Sequence, residues 1–287
     1  MSTIFHSTGA ELSSRRSGSS STDADRESIE QEQISDEEDI EEQGVTMEQE
    51  GKTITIDEEI GKMLKRAEEN GASKYLMRNL SDQVQRYKDI FRVELGSDPP
   101  AKVPPMEIEL IDEAKVDSHR IPARTFAPLQ QRFLNEYVEF HLRTGVIRKS
   151  QSNITPPIVL VRKPDKSWRM CIDLRWVNSK TTTMRWPLPK LQEIMPYLEG
   201  SKFFASLDLL RGFWQFPIAE DSRRFWSFVT HHGQFEFTRV VMGGKHSAGY
   251  FQQVMQKVLA DLLFICILIY IDELLIFAKT GEQLYKH

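Results

Sequence analysis

Cysteine is scarce: Cys171 and Cys266 are the only two in 287 residues, too few for a disulfide framework, and no basic-then-apolar leader follows Met1. The expectation is therefore an unsecreted chain in a reducing intracellular compartment, cytoplasmic or nuclear. Long apolar runs are scarce too. The longest, residues 262–271, is half of the ~20 residues a helix needs to cross a bilayer, and Asp261, Asp272 and Glu273 bracket it. No membrane span is expected. The seven histidines show no zinc-ligand spacing with the cysteines, Gly243-Gly244 lacks the rest of a phosphate loop, and His231-His232 reads as a hairpin turn. There is no excess of basic charge either, with 37 Lys+Arg against 42 Asp+Glu. That total hides a division, because residues 1–60 hold 17 acids and 4 bases, leaving 25 acids and 33 bases for the rest. A body of that sign suits a polyanionic partner, although many solvated surfaces carry as much and bind nothing.

What is present is enough for one or two cored domains, since 40% of the residues are hydrophobic. Residues 7–50 are Ser-rich and then acidic, with few large apolar side chains to offset chain entropy, so 1–56 is expected to be a disordered tail. Residues 57–118 read as lead-in helices followed by a Pro-rich extended linker at 97–105. Ile60, Met63 and Leu64 share one face, and Ser81 is placed to cap a segment with Val84, Tyr87, Ile90 and Phe91. From residue 119 a helix is expected over 128–142, stopped by Thr144-Gly145, and then a hairpin of strands 158–163 and 168–173 with basic residues at its tip. A buried strand at 203–209, a helix over 247–263 and a last hairpin of 265–271 and 274–278 follow, the final two strands separated only by Asp272-Glu273.

A two-residue hairpin turn normally takes Asn-Gly or Asp-Gly, because both positions need positive φ, and Asp272-Glu273 breaks that preference. Such violations gather at functional sites, with a charged surface turn as the competing explanation. A third acid, Asp208, lies inside the apolar run 203–210. If that strand lies beside the last hairpin, three carboxylates converge, and their repulsion drives protonation unless divalent cations neutralise them. Hard oxygen ligands suit Mg²⁺ or Mn²⁺, and two such ions roughly 3.5–4 Å apart can activate a hydroxyl and stabilise a leaving pyrophosphate.

Six ordered blocks between residues 119 and 287 carry a family likeness: Gly145-Val-Ile-Arg-Lys-Ser150, Val161-Arg-Lys-Pro-Asp-Lys-Ser-Trp-Arg-Met-Cys-Ile-Asp-Leu-Arg-Trp-Val-Asn178, Phe204-Ala-Ser-Leu-Asp-Leu-Leu-Arg-Gly-Phe-Trp-Gln-Phe216, Gly233-Gln-Phe-Glu-Phe237, Met242-Gly-Gly-Lys-His-Ser-Ala-Gly-Tyr-Phe-Gln252 and Tyr270-Ile-Asp-Glu273. Together they resemble the reverse transcriptases of gypsy-class long-terminal-repeat retrotransposons. The resemblance implies an α+β fold, the fingers and palm of a right-handed polymerase with a mostly antiparallel sheet and packed helices, truncated before the thumb and RNase H domains. It implies RNA-directed DNA synthesis, in which a primer 3′-hydroxyl attacks a dNTP on an RNA or DNA template. A missing polyprotein segment or a second chain is an expected partner.

By position, Asp208 and Asp272 resemble the family's catalytic, Mg²⁺-binding aspartates, and Glu273 stands where the family has a second aspartate, one methylene longer. Reduced turnover or a Mn²⁺ preference is the expected result. Lys163, Arg169, Phe213, Met242 and Gly243 match the nucleotide pocket, Phe213 as the gate against a 2′-hydroxyl. Asp173, Arg175 and Asn178 match the template-side stretch. Met242-Gly-Gly-Lys-His-Ser departs from the Phe-Gly-Leu-x-Asn-Ala pattern of many relatives, and Gly243, Phe251 and Gln252 are retained. Two alternatives stand beside this reading: a catalytically impaired relic that retains only nucleic-acid binding, and an inert body whose acidic tail does the binding.

Overall fold

The computed structural model describes residues 3–6, 55–93, 96–112, 116, 118–164, 166–184 and 186–287. Most of the expected tail, including its acidic run, lies outside the described residues. Within it, Thr3–His6 forms a short strand, β1. Helix α1 (Ile56–Glu69) starts where a capping box dictates: the Thr55 hydroxyl accepts from the Glu58 N–H while the Glu58 carboxylate accepts from the Thr55 N–H. Helix α2 (Lys74–Arg86) starts eight residues ahead of the Ser81 cap expected from the sequence, because the Ser73 hydroxyl already accepts from the Leu76 N–H. Ser81 is thus interior to the helix, and Tyr87 and Ile90 are left exposed beyond its end.

The Pro-rich segment is extended, as expected, but it is packed rather than free. Ala101 N–H donates to the Gln215 carbonyl at 2.8 Å, Met106 N–H donates to the Pro217 carbonyl at 2.9 Å, and the Tyr250 hydroxyl donates to the Pro104 carbonyl. Strand β2 (His119–Arg120) follows, and then α3 (Pro128–Arg143), which opens on a proline whose missing N–H costs nothing at a first turn. Gly145, at φ +70, stops that helix in the left-handed conformation glycine adopts freely.

The chain continues as β3 (Ile147–Lys149), β4 (Ile154–Thr155), and the hairpin of β5 (Ile158–Arg162) and β6 (Trp168–Ile172). Short helices α4 (Arg175–Lys180) and α5 (Leu191–Ile194) precede β7 (Phe203–Asp208), and β8 (Ser227–Thr230) turns through His231-His232 into β9 (Gly233–Phe237). Helix α6 (Ser247–Val258) is shorter than the expected 247–263; Val258, its last residue, and Leu262, beyond its end, are exposed. The chain then runs through β10 (Ile267–Tyr270), β11 (Glu273–Ala278) and α7 (Gly281–Lys286).

These strands form a four-stranded antiparallel sheet in the order β1-β7-β11-β10, a three-stranded antiparallel sheet β3-β9-β8, the β5-β6 hairpin and a parallel β2-β4 pair. Directly opposite residues of an antiparallel pair share a face. Leu207 faces Leu274 and Ala205 faces Ile276, so those side chains point into the main core and into a second cluster with Ile60, Met63, Ala67 and Val84 of α1 and α2. On the other face, Phe204 lies opposite Phe277 and Ser206 opposite Leu275, and there Ile194 and Leu198 cover Phe204, Leu268 and Phe277. The continuation of that same row is Asp208 opposite Glu273, beyond the apolar cover. The fold therefore buries one end of this face and leaves the acidic end open.

Packing around the loop before α6 is tight. A Cβ on Gly244 would lie 1.9 Å from the terminal ring carbon Cη2 of the buried Trp226, whereas one on Gly249, in the first turn of α6, would come no nearer than 3.4 Å to any neighbour, the flexible Met184 Sδ. Gly244→Ala is expected to destabilise by about 1–3 kcal/mol through overpacking, and Gly249→Ala to be neutral or stabilising by up to about 1 kcal/mol through helix propensity. Urea unfolding of both variants checks the opposite signs.

Candidate functional site

The last hairpin turns one residue earlier than its sequence suggests. Tyr270 pairs with Glu273, so the turn residues are Ile271 and Asp272, and Glu273 is the first residue of β11. The positive φ falls on Ile271, at 55°, a conformation that costs a β-branched residue of order 1–3 kcal/mol. Three hydrogen bonds hold it. Ile271 N–H donates to Gln252 Oε1 at 2.8 Å, Gln252 Nε2 donates to the Ile269 carbonyl at 3.1 Å, and Leu209 N–H donates to the Asp272 carbonyl at 3.0 Å. Gly212 completes the arrangement: a Cβ there would lie 2.9 Å from the Phe251 ring and 3.2 Å from Asp272 Cβ, so only glycine admits both.

This frame brings two of the expected acids into electrostatic contact. Asp208, half-buried at the end of β7, has its carboxyl pushed above the ordinary range, first by desolvation and then by the negative charge of Asp272. Glu273 lies directly across the strand pair from Asp208 on the same face and is exposed. Among the described residues no three His, Cys, Asp or Glu side chains close into a ready-made ligand set. The structure thus assembles the Asp208–Asp272 pair with Glu273 alongside, rather than the closed three-carboxylate cluster. A desolvated pair of like charges with hard oxygen donors is chemically suited to a divalent cation, which would relieve the repulsion.

The remaining sequence-predicted residues fall in two groups. Lys163 and Arg169 are on the β5–β6 hairpin, whose tip closes through Lys163 N–H to the Ser167 carbonyl at 2.8 Å, and Arg169 is exposed opposite Val161. Arg162 stacks over the Trp168 ring at 5.3 Å and stiffens the hairpin. Around α4, Arg175 chelates Asp173 through Nε at 2.8 Å and Nη2 at 2.5 Å, which holds the Asp173 carboxyl down to about 2. Asn178 donates to the Gly243 carbonyl at 2.9 Å and accepts from the Lys245 N–H at 2.8 Å. Its amide thereby ties α4 to the loop that presents exposed Met242 and left-handed Gly243, so Asn178 is occupied as a brace. Phe213 is buried, its ring 4.8 Å from Phe251, which places it in the core beneath the turn rather than on an open surface.

Comparison with known proteins adds identity to this geometry. The reverse transcriptase (RNA-dependent DNA polymerase) family model matches residues 161–287. This stretch is similar to reverse transcriptases. It is 31% identical over 182 residues to the retrovirus-related Pol polyprotein from transposon gypsy of Drosophila melanogaster, and 29% identical over 185 residues to the enzymatic polyprotein of figwort mosaic virus. Those alignments cover 60% and 63% of this chain but 17% and 27% of the relatives, so the chain spans about a quarter or less of their length. The fold matches the foamy viral protease-reverse transcriptase solved with an RNA/DNA hybrid, with TM-score 0.68 and 22% identity over 79% of this chain and 31% of that one. A second structure of that viral protein, with double-stranded DNA, gives TM-score 0.67 over 79% of this chain and 39% of that one.

Reverse transcriptases are nucleotidyltransferases that use divalent metal ions, which agrees with the paired carboxylates. Among the described residues no helix is long and apolar enough to cross a membrane. Sequence reasoning gave no role to two residues that build the turn: Gln252, noted only as retained in its block and carrying a polar side chain on the apolar side of a predicted helix, and Gly212, whose close approach to Phe251 and Asp272 had no local signal. Because the folded state raises the Asp208 carboxyl above its unfolded value, it retains a proton that the unfolded chain releases, and stability falls as pH rises through that interval. In metal-free buffer Asp208→Asn is therefore expected to melt higher than the native chain at neutral pH and to flatten the pH dependence. Thermal melts between pH 4 and 8 check this, and a lower-melting variant at pH 7 contradicts it.

Proposed function

We propose that this chain performs RNA-directed DNA synthesis, with the primer 3′-hydroxyl attacking the α-phosphate of a dNTP at the open acidic end of the β7–β11 face. The observation that carries the proposal is the backbone hydrogen bond from Leu209 N–H to the Asp272 carbonyl, which ties the turn bearing Asp272 to the residue that follows Asp208. Asp208 and Asp272 are the residues that would hold divalent magnesium, or manganese, with Glu273 as a third oxygen donor. Two such ions, when bound, would supply charge neutralisation at the attacking and leaving oxygens.

The chain's own groups do the rest. Lys163 and Arg169 extend from the hairpin as cations for the triphosphate, and the Arg162–Trp168 stack beside them limits how far they wander. Met242 and Gly243 form the exposed lip of the nucleotide pocket, held by Asn178. Phe213, matched by the resemblance to the gate against a 2′-hydroxyl, is buried against Phe251 and supports the turn from beneath instead of lining an open pocket. Arg175, mostly exposed and oriented by Asp173, is the template contact. Template–primer would be gripped mainly through phosphates, so affinity should fall steeply with salt and depend little on sequence.

One observation favours the second reading, a nucleic-acid-binding module without turnover: no third carboxylate closes the ligand set among the described residues. A primed RNA template with dNTPs and Mg²⁺ or Mn²⁺ separates the two. Incorporation is expected from the native chain, at least about 10²-fold less from Asp208→Ala, and more from Glu273→Asp, since a misplacement near 1 Å costs about that factor. Equal incorporation by native chain and Asp208→Ala contradicts the assignment of the acids.

A further inference from the structure

Strand β10 is the outer strand of its sheet, so its backbone groups facing away from β11 need partners from elsewhere. Two of them, the Ile269 carbonyl and the Ile271 N–H, lie two residues apart on one side of the strand, the spacing a neighbouring strand's residue would bridge. The side-chain amide of Gln252 takes that place, with Nε2 donating to Ile269 and Oε1 accepting from Ile271. The side chain is fully buried and both ends of its amide are paired. Its helix is fixed from below by Phe251, which is fully buried and lies 4.8 Å from both Phe213 and Phe216. Nothing else in that hydrogen-bond pair supports Ile271, and Ile271 holds the left-handed turn that carries Asp272.

We infer that Gln252 is a positioning residue: its amide serves as one residue of a missing strand, holds Ile271 at positive φ, and thereby sets Asp272 against Asp208. The inference deepens the proposed polymerase reading and rests on it for its metal-binding consequence. Replacement by an apolar side chain of similar size leaves a buried donor and acceptor without partners, and the backbone at 271 is then free to leave a conformation that only glycine adopts without strain. Glycine at 271 removes the need for the brace while sacrificing the packing of the isoleucine side chain.

The test uses the full chain and Mn²⁺ as the probe, with binding followed by electron paramagnetic resonance. Gln252→Met is expected to weaken Mn²⁺ binding at least about tenfold, the factor that corresponds to about 1.4 kcal/mol of lost hydrogen bonding, and Gln252→Met with Ile271→Gly to recover most of it. Native affinity in Gln252→Met, or a double variant no better than the single, overturns the inference. If Gln252→Met does not fold, the double variant is expected to fold, and an unfolded double variant overturns the inference as well. If the native chain binds no Mn²⁺, the polymerase reading has failed on its own. The positioning role is then read from amide exchange over residues 265–275, with exchange at Ile271 expected to be at least about tenfold faster in Gln252→Met than in the native chain, and unchanged exchange ruling the role out.

Discussion

The geometry of the acidic site depends on one constraint, a β-branched residue held in the left-handed region between a strand edge and a turn. Ile271 at φ 55° is unfavourable by itself, and the conformation persists because a buried amide and the Leu209 N–H over-determine it. The same turn sets Asp272 close enough to Asp208 for their charges to repel, a repulsion that a bound cation would relieve. Strain in the backbone and strain between charges are thus stored at one place, and the surrounding core opposes both.

The means of opposing them is the two-sided use of one sheet. One face of β7 and β11 is apolar along its length and anchors the sheet on α1, α2 and α6, each fully buried large side chain contributing roughly 1.5–3 kcal/mol. The other face is apolar only where Ile194 and Leu198 cover it and ends in carboxylates. A few such buried side chains outweigh the local cost at the turn. The loop before α6 is locked in the same manner by Trp226 against Gly244 and by the two hydrogen bonds of Asn178, so the lip of the pocket is set by packing on one side and polar bridging on the other.

Much of the fold was legible because it is local. The apolar β-branched runs around Asp272, the 158–172 hairpin, the 128–142 helix and the His231-His232 turn all follow from periodicity and turn chemistry within a few residues. The misplaced features depend on distant partners. The turn register was read one residue late because the position of positive φ is decided by Gln252 and Leu209, far away in the chain. The extended conformation of the Pro-rich segment follows from its prolines, but its docking had no local signal because it depends on the carbonyls of Gln215 and Pro217. The early start of α2 follows from one serine hydroxyl chosen over another, which sequence pattern ranks poorly. Of the site, Asp272-Glu273 stood out as an unusual hairpin turn and Asp208 as a charge in an apolar run, whereas the bonds of Asn178 to the Gly243 carbonyl and the Lys245 N–H had no local signal, since they join segments brought together only by folding.

The most direct measurement is anomalous diffraction from crystals of the chain soaked in Mn²⁺. A strand end and a turn that bring Asp208 and Asp272 to one open edge predict manganese density at that edge, beside Asp208, Asp272 and Glu273. Density bound elsewhere with that edge left empty, or carboxylates directed to opposite faces of the sheet, would contradict the account.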